Sequence, residues 1–227
     1  MDRVVLLAGA GGDLGPNLAQ ALLDAGWRVI GVGRDRTRLS AALAELPVQQ
    51  EVAELGDEGQ LQALSARVGP VDAVVHLAGR LDLGHLAETT PSTFEASWRA
   101  NCYAPFLVAR TFAPPMITRG QGAMVFFGAT SSWRGSARTS AFSSGKQALR
   151  GLAQSLAKEL GPHGVHVAHL VIDGKIAGAR TVARFPEAKL EDCLSPQAVA
   201  STVVALLEQP RSAWTFELDL RPDRERW

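Results

Sequence analysis

Short apolar runs recur along the chain at Val4 to Ala8, Arg28 to Val32, Ala73 to Leu77, Ala123 to Phe127, Val165 to Ile172 and Trp214 to Leu220. Segments of helix length with one apolar face separate them, as at Leu18, Ala21, Leu22 and Ala25. This alternation is the rhythm of strand-helix-strand units, whose strands are buried on both faces and read as continuous apolar stretches. A weaker strand around Pro47 to Val52 brings the expected number to about seven. Helices are expected at Arg36 to Leu46, Glu58 to Val68, Ser92 to Phe112, Thr139 to Leu160 and Pro196 to Glu208. Gly26 ends the first helix, Pro91 and Pro196 suit helix starts, and Pro114-Pro115 and Gly161-Pro162 are read as stops. The stretch from Asp173 to Leu194 has no clear period and is expected to be a mobile functional segment. The fold class predicted is α/β: a doubly wound parallel sheet of about seven strands flanked by helices, in one domain over residues 1–227.

Composition narrows the function. With 227 residues and 46% hydrophobic content, the chain can bury an ample core. Its 23 basic and 23 acidic side chains leave no net field to draw nucleic acid or an anionic membrane, and neither partner is expected. Cys102 and Cys193 make no disulfide framework, which points to a cytoplasmic setting. No apolar run reaches membrane-spanning length, and the run after Arg3 is too short for a signal sequence.

The chemistry starts after the first strand, at Ala8-Gly9-Ala10-Gly11-Gly12-Asp13-Leu14-Gly15. A strand, a glycine-rich turn and a helix in that order set main-chain N–H groups and a positive helix end against a diphosphate. The turn resembles the Gly-x-x-x-Gly-x-Gly motif of the short-chain dehydrogenase/reductase family, with Gly9, Leu14 and Gly15 matching and Asp13 at the middle glycine. A carboxylate there would crowd and repel a diphosphate unless Gly12 takes that role; alternatively Asp13 only caps the helix. The resemblance implies a Rossmann-like single domain. It continues through His76-Leu77-Ala78-Gly79, where the family carries Asn-Asn-Ala-Gly, through Asn101 and Gly135, and through Gly174 and Ile176 after the sixth strand. Gly33 falls where NAD-preferring members carry an acid, and Arg34 follows it, so NADP is the expected cofactor, with NAD possible through Asp35. The cofactor-binding residues implied are Gly9, Gly12, Asp13, Leu14, Gly15, Arg34, Ala78, Gly79, Lys146, Gly174 and Ile176.

Ala141-Phe142-Ser143-Ser144-Gly145-Lys146 resembles the family's Tyr-x-x-x-Lys signature without the phenol oxygen, and thirteen residues earlier Ala129 stands where the family has a serine. A benzene ring neither gives nor takes a proton. Asn101 and Lys146 are what the resemblance leaves of a catalytic set, Lys146 holding the nicotinamide ribose, although it also fits a surface helix position. Thr130, by strand alternation, is expected to look away from the Ala129 site, and Ser131 to return only if the strand has ended. Tyr103, the only tyrosine, points about 200° around its helix from Asn101 at about 100° per residue. His163, His166 and His169 imitate a metal cluster, yet His166 and His169 would face opposite sides of a strand, so no metal is expected. Three readings stay open: an NADP(H)-binding oxidoreductase scaffold with an altered catalytic set acting on an activated small-molecule acceptor, a non-catalytic dinucleotide sensor or interaction subunit, and a scaffold that binds no nucleotide. The resemblance also implies a homodimer or homotetramer.

Overall fold

The computed structural model describes residues 3–224, so the outermost residues of the expected span 1–227 lie outside the described residues. Among the described residues seven strands form one sheet: β1 (Arg3–Ala8), β2 (Trp27–Gly33), β3 (Gln49–Val52), β4 (Ala73–His76), β5 (Gly122–Phe127), β6 (Val165–Ile172) and β7 (Glu217–Leu220). Their order is β3-β2-β1-β4-β5-β6-β7 and every pairing is parallel. The order reverses between β1 and β4, and in open α/β sheets the crevice outside the strands' carboxyl ends at such a point is where ligands bind.

Side-chain alternation along the strands splits the core in two. Val4, Leu6 and Ala8 of β1 face one layer, built with α3 (Glu58–Val68), α5 (Ala104–Arg119) and α6 (Ser140–Leu160) through Leu61, Val108, Phe112 and Leu149. Val5 and Leu7 face the other, built with α1 (Gly15–Asp24), α2 (Arg36–Leu43) and α8 (Pro196–Leu207) through Leu18, Leu39 and Val199. All eight residues of β6 are buried, as expected of a central parallel strand covered on both sides.

Several boundaries differ from the sequence expectation, each for a local reason. The α2 helix stops at Leu43 rather than Leu46, because Pro47 disfavours a helical Leu46 and the chain turns through the Leu46 to Leu43 and Val48 to Leu46 hydrogen bonds. The last strand begins at Glu217 rather than Trp214: the Trp214 ring stacks on His166 at 5.1 Å, and Thr215 is held by Gln209 and His166. The helix expected from Ser92 to Phe112 is α4 (Pro91–Trp98), a π-helical turn over Arg99–Tyr103, and then α5, which runs through Pro114 and Pro115 to Arg119. The two prolines therefore do not stop it. Burial of Ala113 and Met116 against the sheet offsets the hydrogen bonds they remove. The 173–194 segment is not featureless either: it holds α7 (Ala179–Arg184), a short 3₁₀ turn at Leu190–Asp192 and a parallel bridge from Ile176 to Leu194.

Asn101 is the reason for the π turn. Its amide donates to the carbonyls of Ser97 (2.9 Å) and Arg80 (2.7 Å), and its oxygen accepts from the Arg80 N–H at 3.2 Å. One buried side chain thus satisfies the carbonyl loosened by the wider turn and ties the helix to the loop after β4. Asn101→Ala should lower stability by roughly 2–4 kcal/mol in urea unfolding, since it strands buried main-chain groups; a loss within about 0.5 kcal/mol, the range of a neutral surface change, would remove Asn101 as the cause of the turn.

Candidate functional site

The glycine turn between β1 and α1 is shaped by close contacts between stretches of main chain. Gly9 and Ala10 both donate to the Val32 carbonyl, at 2.8 and 3.0 Å, which bends the chain over the end of β2. Gly9 has φ +98°, and a Cβ on it would lie 2.6 Å from the Ala78 nitrogen; a Cβ on Gly15 would lie 1.8 Å from the Ala10 carbonyl oxygen. Neither position admits a side chain. Leu14, buried, occupies the N-cap position of α1 without any side-chain cap. Asp13 therefore does not cap α1, contrary to one sequence expectation: its carboxylate accepts from the Arg180 main-chain N–H at 2.6 Å and lies 3.7 Å from the Arg180 guanidinium.

At the end of β2, Arg34 is 79% exposed on its side chain and meets Glu54 only at 3.8 Å, an arrangement that leaves the guanidinium accessible. Asp35 is committed to capping α2, where it accepts from the Arg38 N–H at 3.0 Å.

Between β4 and α6, three residues converge. A Cβ built on Gly79 would sit 3.0 Å from Asn101 Oδ1 and 3.5 Å from Lys146 Nζ. Lys146 is only 6% exposed and its ammonium donates to the Phe127 carbonyl at 2.7 Å, so the reading of a solvated surface lysine does not hold. Burial lowers its pKa to about 8. The half-buried Phe142 ring, one turn earlier on α6, lies 5.9 Å from that ammonium. His76 is fully enclosed nearby; burial first and the Lys146 charge second lower its pKa to about 3, and its Nε2 has no partner among the described residues.

The hydroxyls near Ala129 follow a geometry that alternation did not anticipate. The β5 strand ends at Phe127, and a 3₁₀ turn over Thr130–Ser132 follows at once. Thr130 donates to Asp173 at 2.5 Å, while Ser132 Oγ accepts from the Ala129 N–H at 3.1 Å and lies 3.4 Å from His169 Nε2. His169 Nδ1 faces Glu217 at 3.0 Å, and Arg150 grips the same carboxylate at 2.7 and 2.9 Å. Arg150 first, with His169 and Trp133 adding hydrogen bonds, holds Glu217 at a pKa of about 2, while burial outweighs Glu217 and lowers that of His169. A serine, a histidine and a carboxylate in a row suggest a nucleophile, but Ser132 and His169 are 3% and 0% exposed, so no acyl substrate reaches them. The row is a buried post joining β6, β7 and the turn after β5.

Asp173, 2% exposed, is also paired with Arg221 at 3.5 Å. It precedes Gly174, and Ile176 bridges to Leu194. Sequence reasoning missed Asp173, Glu217, Arg150 and Arg180 because each meets its partner across more than forty residues of chain. Tyr103 stacks on Trp98 at 6.1 Å with Arg99 over its ring at 4.8 Å. Among the described residues no group of three His, Cys, Asp or Glu side chains is arranged to hold a metal, and no helix is long and apolar enough to cross a membrane.

Comparison with known proteins places this geometry. The family model for short chain dehydrogenases matches residues 3–183. L-xylulose reductase of Mesocricetus auratus is 38% identical over 168 residues, covering 73% of this chain and 68% of the relative, and that of Homo sapiens is 35% identical over 167 residues with the same coverage. Among solved structures, a short-chain dehydrogenase from Rhodopseudomonas palustris superposes with a TM-score of 0.84 at 32% identity, covering 98% of this chain and 99% of the other. A metagenomic short-chain oxidoreductase in complex with NADP superposes at 0.83 with 25% identity, covering 99% and 98%.

His76 and Glu217 give the acid side of the stability profile one sign. The folded state keeps His76 neutral down to about 3 whereas the unfolded chain protonates it near 6.5, so stability falls as pH drops between those values. Glu217 acts in the same direction, its contribution being lost as pH falls from 4.5 toward 2. Between pH 7 and pH 4.5 the wild type should lose about 2–3 kcal/mol more than His76→Asn in urea unfolding. Equal losses in the two proteins would mean that His76 is not held neutral.

Proposed function

Because the chain belongs to the short-chain dehydrogenase family, we propose that it is an NADP(H)-dependent oxidoreductase scaffold whose site suits acceptors that need no phenolic proton donor. The observation that carries this is the buried Lys146 ammonium, converging with Asn101 on Gly79 and beside a phenyl ring at Phe142, in a chain with alanine rather than a hydroxyl at position 129. The cradle fits a dinucleotide: Gly9 and Gly15 bring main chain against main chain at the switch point, and the exposed Arg34 suits a 2′-phosphate while Asp35, occupied as a cap, is withdrawn from a ribose. The NADP-bound metagenomic oxidoreductase supports the same choice.

When bound, NADPH supplies a hydride. Lys146 would hold the nicotinamide ribose through its ammonium. Asn101 holds the 79–80 loop against that lysine. Gly12 and Leu14 would face the diphosphate, Ala78 and Gly79 the middle of the dinucleotide, and Gly174 and Ile176 its nicotinamide. Phe142 transfers no proton, so an enolate formed by hydride addition to an enone would take its proton from solvent, and an iminium acceptor would need none. A polarised carbon–carbon double bond or an iminium-like acceptor asks less of the site than a plain ketone.

A second reading, a non-catalytic dinucleotide sensor or interaction subunit, is favoured by the joint replacement at Ala129 and Phe142. In either reading the protein is cytoplasmic and forms a homodimer or homotetramer through α4, α5 and α6, where Phe94, Trp98 and Phe106 stand 39–42% exposed.

Fluorescence titration should give micromolar NADPH binding, roughly 10-fold tighter than NADH; absence of both would overturn the cofactor reading. Hydride transfer to an enone or imine with slow oxidation of plain alcohols is expected, and binding without transfer to any acceptor would select the sensor. Ala129→Ser combined with Phe142→Tyr should raise ketone reduction by about 100-fold or more. No gain would show that the cleft lacks more than these two groups.

A further inference from the structure

Asp13 puts a carboxylate on the turn where a diphosphate would lie, and its resolution comes from across the chain. The 173–194 segment, a flap that carries α7, meets the turn so that Asp13 accepts from the Arg180 N–H at 2.6 Å, with Arg180 Nε 3.7 Å from the other carboxylate oxygen. A Cβ built on Gly12 would have Arg180 Nη1 at 3.2 Å, so the guanidinium lies across the face of the turn. A Cβ on Gly178 would come within 2.5 Å of Asp13 Oδ2, and only a residue without a side chain allows the flap this close.

Three features distinguish this pair from a structural salt bridge. The Arg180 side chain is 57% exposed, and an ion pair in that setting adds little to stability. The short contact uses the Arg180 main chain, which leaves the guanidinium only loosely engaged at 3.7 Å and free to turn. The other flap arginine, Arg184, is committed to the Leu81 carbonyl at 2.7 Å, away from the turn. A planar fork held over a glycine turn at the end of β1 matches the geometry that grips phosphate oxygens.

We propose that Arg180 is a diphosphate-binding residue delivered by the flap, and that Asp13 is the positioning residue that docks it there. The inference rests on the dinucleotide reading above. With Arg180 in place, the carboxylate no longer opposes the ligand: its charge is compensated, and the phosphates meet a guanidinium. Asp13 thereby couples flap closure to the phosphate end of the cleft.

The test compares two ligands, NADPH and adenosine 2′-monophosphate, the second carrying the 2′-phosphate but no diphosphate. Arg180→Ala should raise the NADPH Kd by roughly 10-fold or more while the adenosine 2′-monophosphate Ki, measured by displacement, stays within about 2-fold; Arg180→Lys should recover part of the loss. Asp13→Ala should weaken NADPH in the wild-type background, where it undocks the guanidinium. The same change should tighten NADPH in the Arg180→Ala background, where only repulsion is left. An unchanged or tighter NADPH Kd in Arg180→Ala, equal weakening of both ligands, or the same sign for Asp13→Ala in both backgrounds would overturn the assignment while leaving the dinucleotide reading intact. A wild type that binds NADPH at neither low nor high salt would remove both.

Discussion

The site exists because main chain must touch main chain where the sheet reverses. Gly9 lies against the nitrogen and Cα of Ala78, so the turn after β1 and the loop after β4 form one continuous wall across the carboxyl ends of the two central strands. A methyl group at Gly9 would push these segments apart, and with them Gly79 from Asn101 and Lys146. The glycine turn and the convergence of Asn101 and Lys146 on Gly79 are both fixed against that contact.

Around this wall the charges are arranged by enclosure. Lys146 keeps its ammonium beneath the surface with a carbonyl acceptor, and it adds to the burial that keeps His76 neutral. Glu217 is ionised because Arg150 and His169 surround it, which lets a histidine and a carboxylate brace β6 against β7 without a mobile proton at the cleft. Asp173 is likewise spoken for by Thr130 and Arg221. Asp173 and Glu217 are thus both engaged in holding the scaffold.

Much of this was legible in one dimension. Six of the strands and the βαβ order follow from apolar runs, because a parallel strand buried on both faces needs an unbroken apolar stretch. The glycine turn, Asn101 and Lys146 were found by spacing within a family pattern, and the absence of a hydroxyl at Ala129 and Phe142 is simply composition at two positions. Local reading failed where a tertiary contact outweighed local preference. Pro114 and Pro115 read as breakers, yet their neighbours Ala113 and Met116 are buried against the sheet and the helix continues. Thr130 was oriented by strand alternation, but the strand had already ended.

What the sequence determined by itself is the fold class, the place of the cleft and the groups missing from it, since periodicity and residue identity are properties of neighbours along the chain. What only the tertiary structure decided is how charge is balanced there. That Lys146 is buried rather than solvated, that Glu217 belongs to Arg150 and His169, and that Asp13 faces Arg180 rather than its own helix depend on pairings across 19 to 167 residues of chain. Coulomb and hydrogen-bond energies are set by distance in space, and no periodicity in a sequence encodes that distance.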